Sequence, residues 1–177
     1  MILHSLIYIL AVLGANYTTT PEWFIPLPLF GQVAFGTFLF GATFTQRDRL
    51  HYAGRRWVYS TIAVAAFANV LMSSVLGVPM RIIIASFAAI LLSETADTEI
   101  YQKLLQRSWF VRVAGSNAVS IPLDTFLFTL IAFWGVLPLD QILALLVGET
   151  LVKYLIGALT ALYRGRQPDP IQNGHQG

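Results

Sequence analysis

Cysteine is absent from this 177-residue chain, histidine occurs three times, and only 11% of residues are charged. Without cysteine there is no disulfide, no thiolate metal site and no thiol redox chemistry, and the compartment cannot be read from its usage. His4, His51 and His175 are far apart in sequence and lie at segment ends, which argues against a zinc site. A nucleophile–base triad, an H-E-x-x-H helix and a phosphate-cradling glycine loop are all missing, and no loop-like acid motifs of an intramembrane aspartic protease replace them. The chain is therefore expected to be neither an enzyme nor dependent on a cofactor. Soluble domains carry about 25% charged residues. Against that, 56% hydrophobic residues and a mean hydropathy of +0.66 mark an integral membrane protein.

What is present is a series of six apolar stretches, so the expected fold is an all-α membrane protein, a bundle of six transmembrane helices. The expected spans are 2–17, 28–45, 57–78, one opening at Pro79-Met80-Arg81 and apolar over 82–92, 113–135 and 138–162. A cleaved signal peptide is the competing reading of the first stretch, but it lacks a basic n-region and an A-x-A site. Residues 18–28, with three prolines, Trp23 and Phe24, read as an interfacial loop, and 46–56 as a polar hinge. Residues 1–162 form one transmembrane domain in this reading. Residues 163–177, rich in Pro, Gln and Gly, form a disordered cytoplasmic tail.

Basic residues orient these spans. The hinge holds Arg47, Arg49, Arg55 and Arg56, the connection after the fourth span Lys103, Arg107 and Arg112, and the tail Arg164 and Arg166; the alternate loops hold only Arg81. The positive-inside rule then places both termini in the cytoplasm. The formal charge of +2 is this same loop asymmetry, so nucleic acid is not an expected partner; the bilayer is. Asn16-Tyr17-Thr18 matches a glycosylation sequon of a kind that arises by chance. Ala11/Ala15 and Ala85/Ala89, four apart, would let helices approach closely.

Most charges inside the apolar stretches are carboxylates, and an ionisable group in hydrocarbon is costly unless it has a role. Glu94, Asp97 and Tyr101 share one face of the fourth span at i, i+3, i+7 spacing; Asn117, Ser120 and Asp124 repeat that spacing on the fifth, and Glu149 and Lys153 form an i, i+4 pair on the sixth. At a rise of about 1.5 Å per residue, Glu94, Asp124 and Glu149 each lie roughly 16–18 Å from where their span enters. Three helices thus bring polar groups to one level. Pro122 leaves the Ala118 carbonyl without its helical donor beside Asp124, and broken helices of this kind recur at transporter binding sites. The candidate substrate-binding residues are Glu94, Asp97, Asn117, Asp124, Glu149 and Lys153. Structural readings stand beside these. Glu149 and Lys153 neutralise one another, Glu94 or Asp97 pairs with Lys103 or Arg107 at the rim, and Asn117 and Ser120 are interhelical hydrogen-bond partners. Glu99 is solvated near the inner interface, and the hinge arginines are orientation signals, with Arg47 or Asp48 as an alternative inner gate.

The run Ser93-Glu94-Thr95-Ala96-Asp97-Thr98-Glu99-Ile100-Tyr101-Gln102-Lys103-Leu104, continuing into Ser108-Trp109-Phe110-Val111-Arg112, resembles the VUT family of queuosine precursor transporters. The likeness extends through Gly115-Ser116-Asn117, Leu123-Asp124-Thr125-Phe126-Leu127-Phe128 and Ile131-Ala132-Phe133-Trp134-Gly135. Thr43-Phe44-Thr45-Gln46-Arg47-Asp48-Arg49 resembles the family's inner-loop element, and Glu149 with Lys153 its acid-then-lysine pattern, although some members carry Asp at the first position. The resemblance implies six transmembrane helices related to the substrate-binding components of energy-coupling-factor transporters. It implies uptake of 7-deazaguanine bases, the cyano or aminomethyl precursors of queuosine, across the inner membrane in the service of tRNA modification.

A guanine-like edge presents a ring N–H beside an exocyclic amine, and a carboxylate accepts from both. Left unpaired by the wrong base, that carboxylate would discriminate against it. The expectation assigns the edge to Asp124 with Glu94 or Asp97, Asn117 to the remaining polar atoms, Lys153 to Glu149 or a substrate carbonyl, and stacking to Phe126, Phe128 or Tyr101. The alternatives are a binding subunit docked on a separate energising ATPase module, carrying another vitamin-like ligand, and a structural membrane protein without substrate. A homo-oligomer is compatible with all three.

Overall fold

The computed structural model describes residues 1–164. The expected tail therefore lies, from residue 165 onward, outside the described residues, and Arg166 with it. Six α-helices dominate: α1 (Ile2–Tyr17), α2 (Phe40–Leu50), α3 (Arg55–Val75), α4 (Met80–Lys103), α5 (Trp109–Phe133) and α6 (Leu139–Arg164). Three of them, α3, α5 and α6, are long and apolar enough to cross a membrane. Helix α4 is of similar length, with 24 residues, and carries Glu94, Asp97 and Glu99 in its second half.

The side chains are distributed inside out. Leu10, Phe67, Leu71 and Leu155 stand more than half exposed on the surface, whereas Arg47, Asp97, Arg112 and Lys153 are buried. An apolar exterior of this extent fits hydrocarbon, with polar groups turned inward to find partners. One apolar cluster (Tyr8, Val12, Leu50, Val58, Ile62, Ala65, Ala66 and Ile90) joins α1, α2, α3 and α4. A second (Ile82, Ala85, Ala132, Phe133, Ile142 and Leu145) joins α4, α5 and α6. Ala15, Ala85 and Ala89 are buried, as small residues at close helix approaches should be.

The expected second span is not a single helix. Residues 24–34 form an antiparallel hairpin, β1 (Phe24–Leu27) with β2 (Gly31–Ala34), in the register Phe24↔Ala34 and Leu27↔Gly31. A 3-10 segment, Phe35–Leu39, follows, and only then α2. Pro26 and Pro28 forbid a continuous helix here, and Leu29 (φ 71°) with Gly31 (φ 95°) turns the chain back. The hairpin rests on α6 by backbone contact: a Cβ on Gly31 would meet the Ala144 carbonyl oxygen at 2.3 Å, and one on Gly148 the Gln32 carbonyl oxygen at 2.2 Å.

The polar hinge expected over 46–56 also begins later. Helix α2 runs on to Leu50, and the connection to α3 is a 3-10 turn, His51–Ala53, with Gly54 at φ 94°. At this end the connection between α4 and α5 is closed by Arg112, whose Nη1 donates to the carbonyls of Leu105 (3.1 Å) and Arg107 (2.9 Å). The Arg112 guanidinium lies over the Tyr101 and Trp109 rings. Tyr101 stacks on His51 with centroids 4.0 Å apart and planes at 11°. Burial, reinforced by Arg47 and Arg112, pushes the His51 imidazole down to about 3, so the ring is neutral at physiological pH. Glu99 lies at the surface, as expected, where it pairs with the exposed Arg55 and accepts the Tyr59 hydroxyl.

Gly148→Ala is expected to lower the melting temperature of the purified protein by about 5 °C, since overpacking costs about 1–3 kcal/mol. The comparison is Gly115→Ala, where the new Cβ meets only the end of the Leu104 side chain. Thermal unfolding in detergent checks it, and equal losses for both variants would contradict the close seating of the hairpin.

Candidate functional site

Helix periodicity puts Glu94 and Asp97 on one face of α4, Asn117, Ser120 and Asp124 on one face of α5, and Glu149 and Lys153 on one face of α6. The fold turns these faces toward each other and lays α2 against them. The result is two ion clusters in contact.

The first is centred on Lys153. Its Nζ lies 2.8 Å from Asp124 Oδ2, 3.2 Å from Glu149 Oε2 and 3.1 Å from the Thr125 hydroxyl, and 4.5 Å from the centroid of the Phe40 ring. Lys153 thus balances both acids, and the i, i+4 pair expected on α6 is one edge of a triad. Glu149 also accepts the Ala34 backbone N–H (2.8 Å) and the Thr37 hydroxyl (2.7 Å), fastening the end of β2 and the 3-10 segment to α6. In a medium without water to solvate an open strand edge, that carboxylate satisfies a backbone donor which would otherwise be orphaned.

The second cluster is centred on Arg47 of α2, the residue that loop reasoning set aside as an orientation signal. It is buried, with Nε 3.0 Å from Asp97 Oδ2 and 3.9 Å from Asp48 Oδ1, Nη1 3.3 and 3.4 Å from the two Glu94 oxygens, and Nη2 donating to Asn117 Oδ1 at 3.2 Å. The Phe44 ring lies beneath the guanidinium at 5.2 Å. Glu94 and Asp97 are therefore paired with Arg47 and not with Lys103 or Arg107 at the rim. Gly157 leaves room for Asn117, whose Nδ2 would sit 3.0 Å from a Cβ at that position. Serine hydroxyls tie α4 to α5 beside the clusters: Ser120 donates to Asp97 Oδ1 (2.9 Å) and Ser93 to Asp124 Oδ1 (3.4 Å).

Around these groups lie three narrow chambers. One is lined by Phe40, Phe44, Arg47, Glu94, Asp124 and Lys153. The second reaches Asn16, Thr37, Phe128 and Glu149, and the third Tyr8, Asn16, Thr43 and Glu94. Phe40 and Asp124 border all three. The space open to the centre of a water molecule is about 10, 50 and 30 Å³ respectively, which is room for a few waters and not for a bicyclic base. A much wider groove lined by Pro122, Leu123, Phe126 and Leu146 opens on the apolar exterior, where nothing charged faces it.

All six residues expected at a site fall in these clusters: Asp124, Glu149 and Lys153 meet directly, and Glu94, Asp97 and Asn117 meet through Arg47. Of the expected aromatic partners, two do not. Phe126 is exposed on the outer face, and Tyr101 is engaged with His51; of the three, only Phe128 lines a chamber. Phe40 and Phe44 take that place. The Ala118 carbonyl freed by Pro122 is not open to a substrate either, because the Tyr154 hydroxyl donates to it at 3.1 Å. Phe40 and Phe44 were missed as site residues, and Arg47 and Asp48 were weighed only as orientation signals or an inner gate; the i, i+4, i+7 spacing of Phe40, Phe44 and Arg47 carried the signal. Four arginines within ten residues obscured it.

The family model described as "Putative vitamin uptake transporter" matches residues 57–163, the stretch that holds Glu94 through Lys153. A "Probable queuosine precursor transporter" of Bacillus subtilis (strain 168) is 27% identical over 168 aligned positions, covering 81% of this chain and 73% of that protein. No solved structure matches the chain.

Lys153→Met leaves the buried Glu149 and the mostly covered Asp124 without their cation, a change expected to cost about 3 kcal/mol. The variant should melt about 10 °C lower than the unmodified protein, and adding Asp124→Asn and Glu149→Gln should restore most of that loss. Melting of the single and triple variants in one detergent checks it; identical curves would show that the triad contributes nothing.

Proposed function

Since the chain belongs to the vitamin uptake transporter family, we propose that it is a stand-alone carrier importing 7-deazaguanine precursors of queuosine across the cell (inner) membrane. It is a multi-pass membrane protein of a transporter family. The cargo follows the printed name of the Bacillus relative and the chemistry of the clusters. The observation that carries this reading is a buried chamber bounded by two carboxylates, Glu94 and Asp124, and two aromatic rings, Phe40 and Phe44. Once this closed chamber opens, flat rings hold a flat base, and carboxylates hold its adjacent N–H donors.

In this reading Asp124 and Glu94 accept from the guanine-like edge, and Asn117 serves the remaining polar atoms. Lys153 balances Glu149 and reaches a substrate carbonyl. Asp97 is a support, because one of its oxygens takes the Ser120 hydroxyl and the other faces Arg47. Six crossings are assigned, the second made by the hairpin, the 3-10 segment and α2 together, with both termini cytoplasmic. Arg47 and Arg112 are buried and drop out of the orientation count, yet Arg49, Arg55, Arg56, Lys103 and Arg107 still outnumber Arg81. Residues 1–162 act as one domain. A separate ATPase module on the cytoplasmic face is the alternative source of energy, and its co-purification would distinguish the two. A homo-oligomer is compatible with either.

Cells that cannot make the precursor and lack their own importer test the cargo. With low external deazaguanine, the unmodified chain should restore queuosine in tRNA, and Asp124→Asn at matched membrane levels should restore at least tenfold less. No restoration by the well-expressed unmodified chain would overturn the reading. The absence of native cysteine makes orientation simple to test. Leu29→Cys, at the exposed hairpin tip, should react with an impermeant maleimide in intact cells, and Arg56→Cys only after permeabilisation.

A further inference from the structure

The chambers are closed in a particular way: each carboxylate proposed to read the base is already engaged by a cation of the protein itself. Lys153 holds Asp124 at 2.8 Å, and Arg47 holds Glu94. These two cations differ. An ammonium is a point charge, whereas a guanidinium is a planar fork of N–H donors. The edge of a 2-amino-4-oxo base, a ring N–H beside an exocyclic amine on one sp² carbon, repeats two arms of that fork. Resting on the reading of Glu94 as a base-binding carboxylate, we propose that Arg47 is a built-in stand-in for the cargo, occupying Glu94 and Asn117 in the closed form and giving them up to the base.

Three features of the geometry support exchange over a permanent pair. Arg47 is held unevenly: Nε sits 3.0 Å from Asp97, but a single nitrogen, Nη1, straddles both Glu94 oxygens at 3.3 and 3.4 Å. Charge-assisted bonds between nitrogen and carboxylate settle at about 2.7–2.9 Å. Neither contact reaches that length, and the Asp97 approach lacks hydrogen-bond alignment, so the guanidinium is held by charge on both sides and leaves Glu94 while keeping Asp97, its nearest counter-charge.

The second feature is Tyr8. Its side chain is fully buried, lines the same chamber as Glu94, and turns its hydroxyl to the Glu94 carboxylate. A neutral donor therefore stays beside Glu94 when the guanidinium leaves, and the carboxylate keeps a polar neighbour throughout the exchange.

The third is the position of Arg47 in the chain. It lies in the last turn of α2, just before the His51–Ala53 turn and Gly54, whose φ of 94° and open surroundings suit a hinge. Release of Arg47 from Glu94 loosens the end of α2 at that hinge. Recognition of the base edge on one side of Glu94 thereby becomes movement of the inner connection on the other. A ligand drives such a shift only by binding the two forms differently, and competition for one carboxylate supplies that difference.

The test uses the purified full-length chain with Arg47 unmodified, Arg47→Lys and Arg47→Ala. Calorimetric titration with 7-aminomethyl-7-deazaguanine should show Arg47→Lys binding at least tenfold tighter than the unmodified chain, because the competitor is weakened, while uptake in vesicles falls at least tenfold. Equal or weaker binding by Arg47→Lys would overturn the proposal and leave the cargo standing. Guanidinium chloride at a few millimolar should raise the melting temperature of Arg47→Ala by several degrees, whereas ammonium chloride at the same concentration should not, and the unmodified chain should not respond. Absence of that selective rescue would also overturn it; should Arg47→Ala fail to fold, the Arg47→Lys arm decides. If none of the three chains binds the deazaguanine, the cargo assignment falls, and guanidinium rescue alone decides whether Arg47 fills a ligand-like pocket.

Discussion

Removing a charge from water costs several kcal/mol even after the surrounding protein relaxes, and in a bilayer no water is at hand to share that cost. Asp48, Glu94, Asp97 and Glu149 are buried and Asp124 is mostly covered, and two cations, Arg47 and Lys153, stand among them. Each cation therefore serves several acids at once. The acids come from different helices, so the ionic contacts tie α2, α4, α5 and α6 into one arrangement. Neutral packing alone would not specify this arrangement, because lipid tails are as apolar as leucine and give no preference for one helix pairing over another. The same contacts that define the bundle also fill its interior, which is why the chambers are so small.

The hairpin shows the second consequence of an anhydrous surrounding. A two-stranded ribbon has outer edges with unpaired backbone donors, tolerable at depth only where protein covers them. Gly31 and Gly148 let the ribbon approach the α6 backbone, and Glu149 takes the Ala34 N–H. One carboxylate thus has two duties, partner to Lys153 and fastening for the ribbon. Any change at Glu149 alters both the interior charge balance and the cover of the bundle.

How far these features were readable in the sequence depended on periodicity. The i, i+3, i+7 spacing on α4 and α5 placed Glu94, Asp97, Asn117 and Asp124 on inward faces, and the structure brings them together. Reading failed where helical period gave way to local chemistry. Residues 28–45 looked apolar enough for a helix, but prolines at 26 and 28 and the turn at Leu29 made a ribbon. Arg47 was hidden because charge density around it resembled a loop; nothing in composition separates an arginine that faces water from a neighbour that faces Asp97. Tyr101 shared the face of Glu94, yet two turns nearer the end of the helix it met His51. Shared faces follow from the backbone, but depth and partner choice follow from neighbours far away in sequence.

Phe40 borders all three chambers and lies beneath Lys153. A benzyl ring turning on two torsions thus stands, with Asp124, at the boundary of all three spaces. Ring reorientation belongs to a faster regime than the sliding of packed helices. On the proposed reading, a bulkier or smaller residue at the head of α2 changes the room left for a guest by volume without touching a single charge.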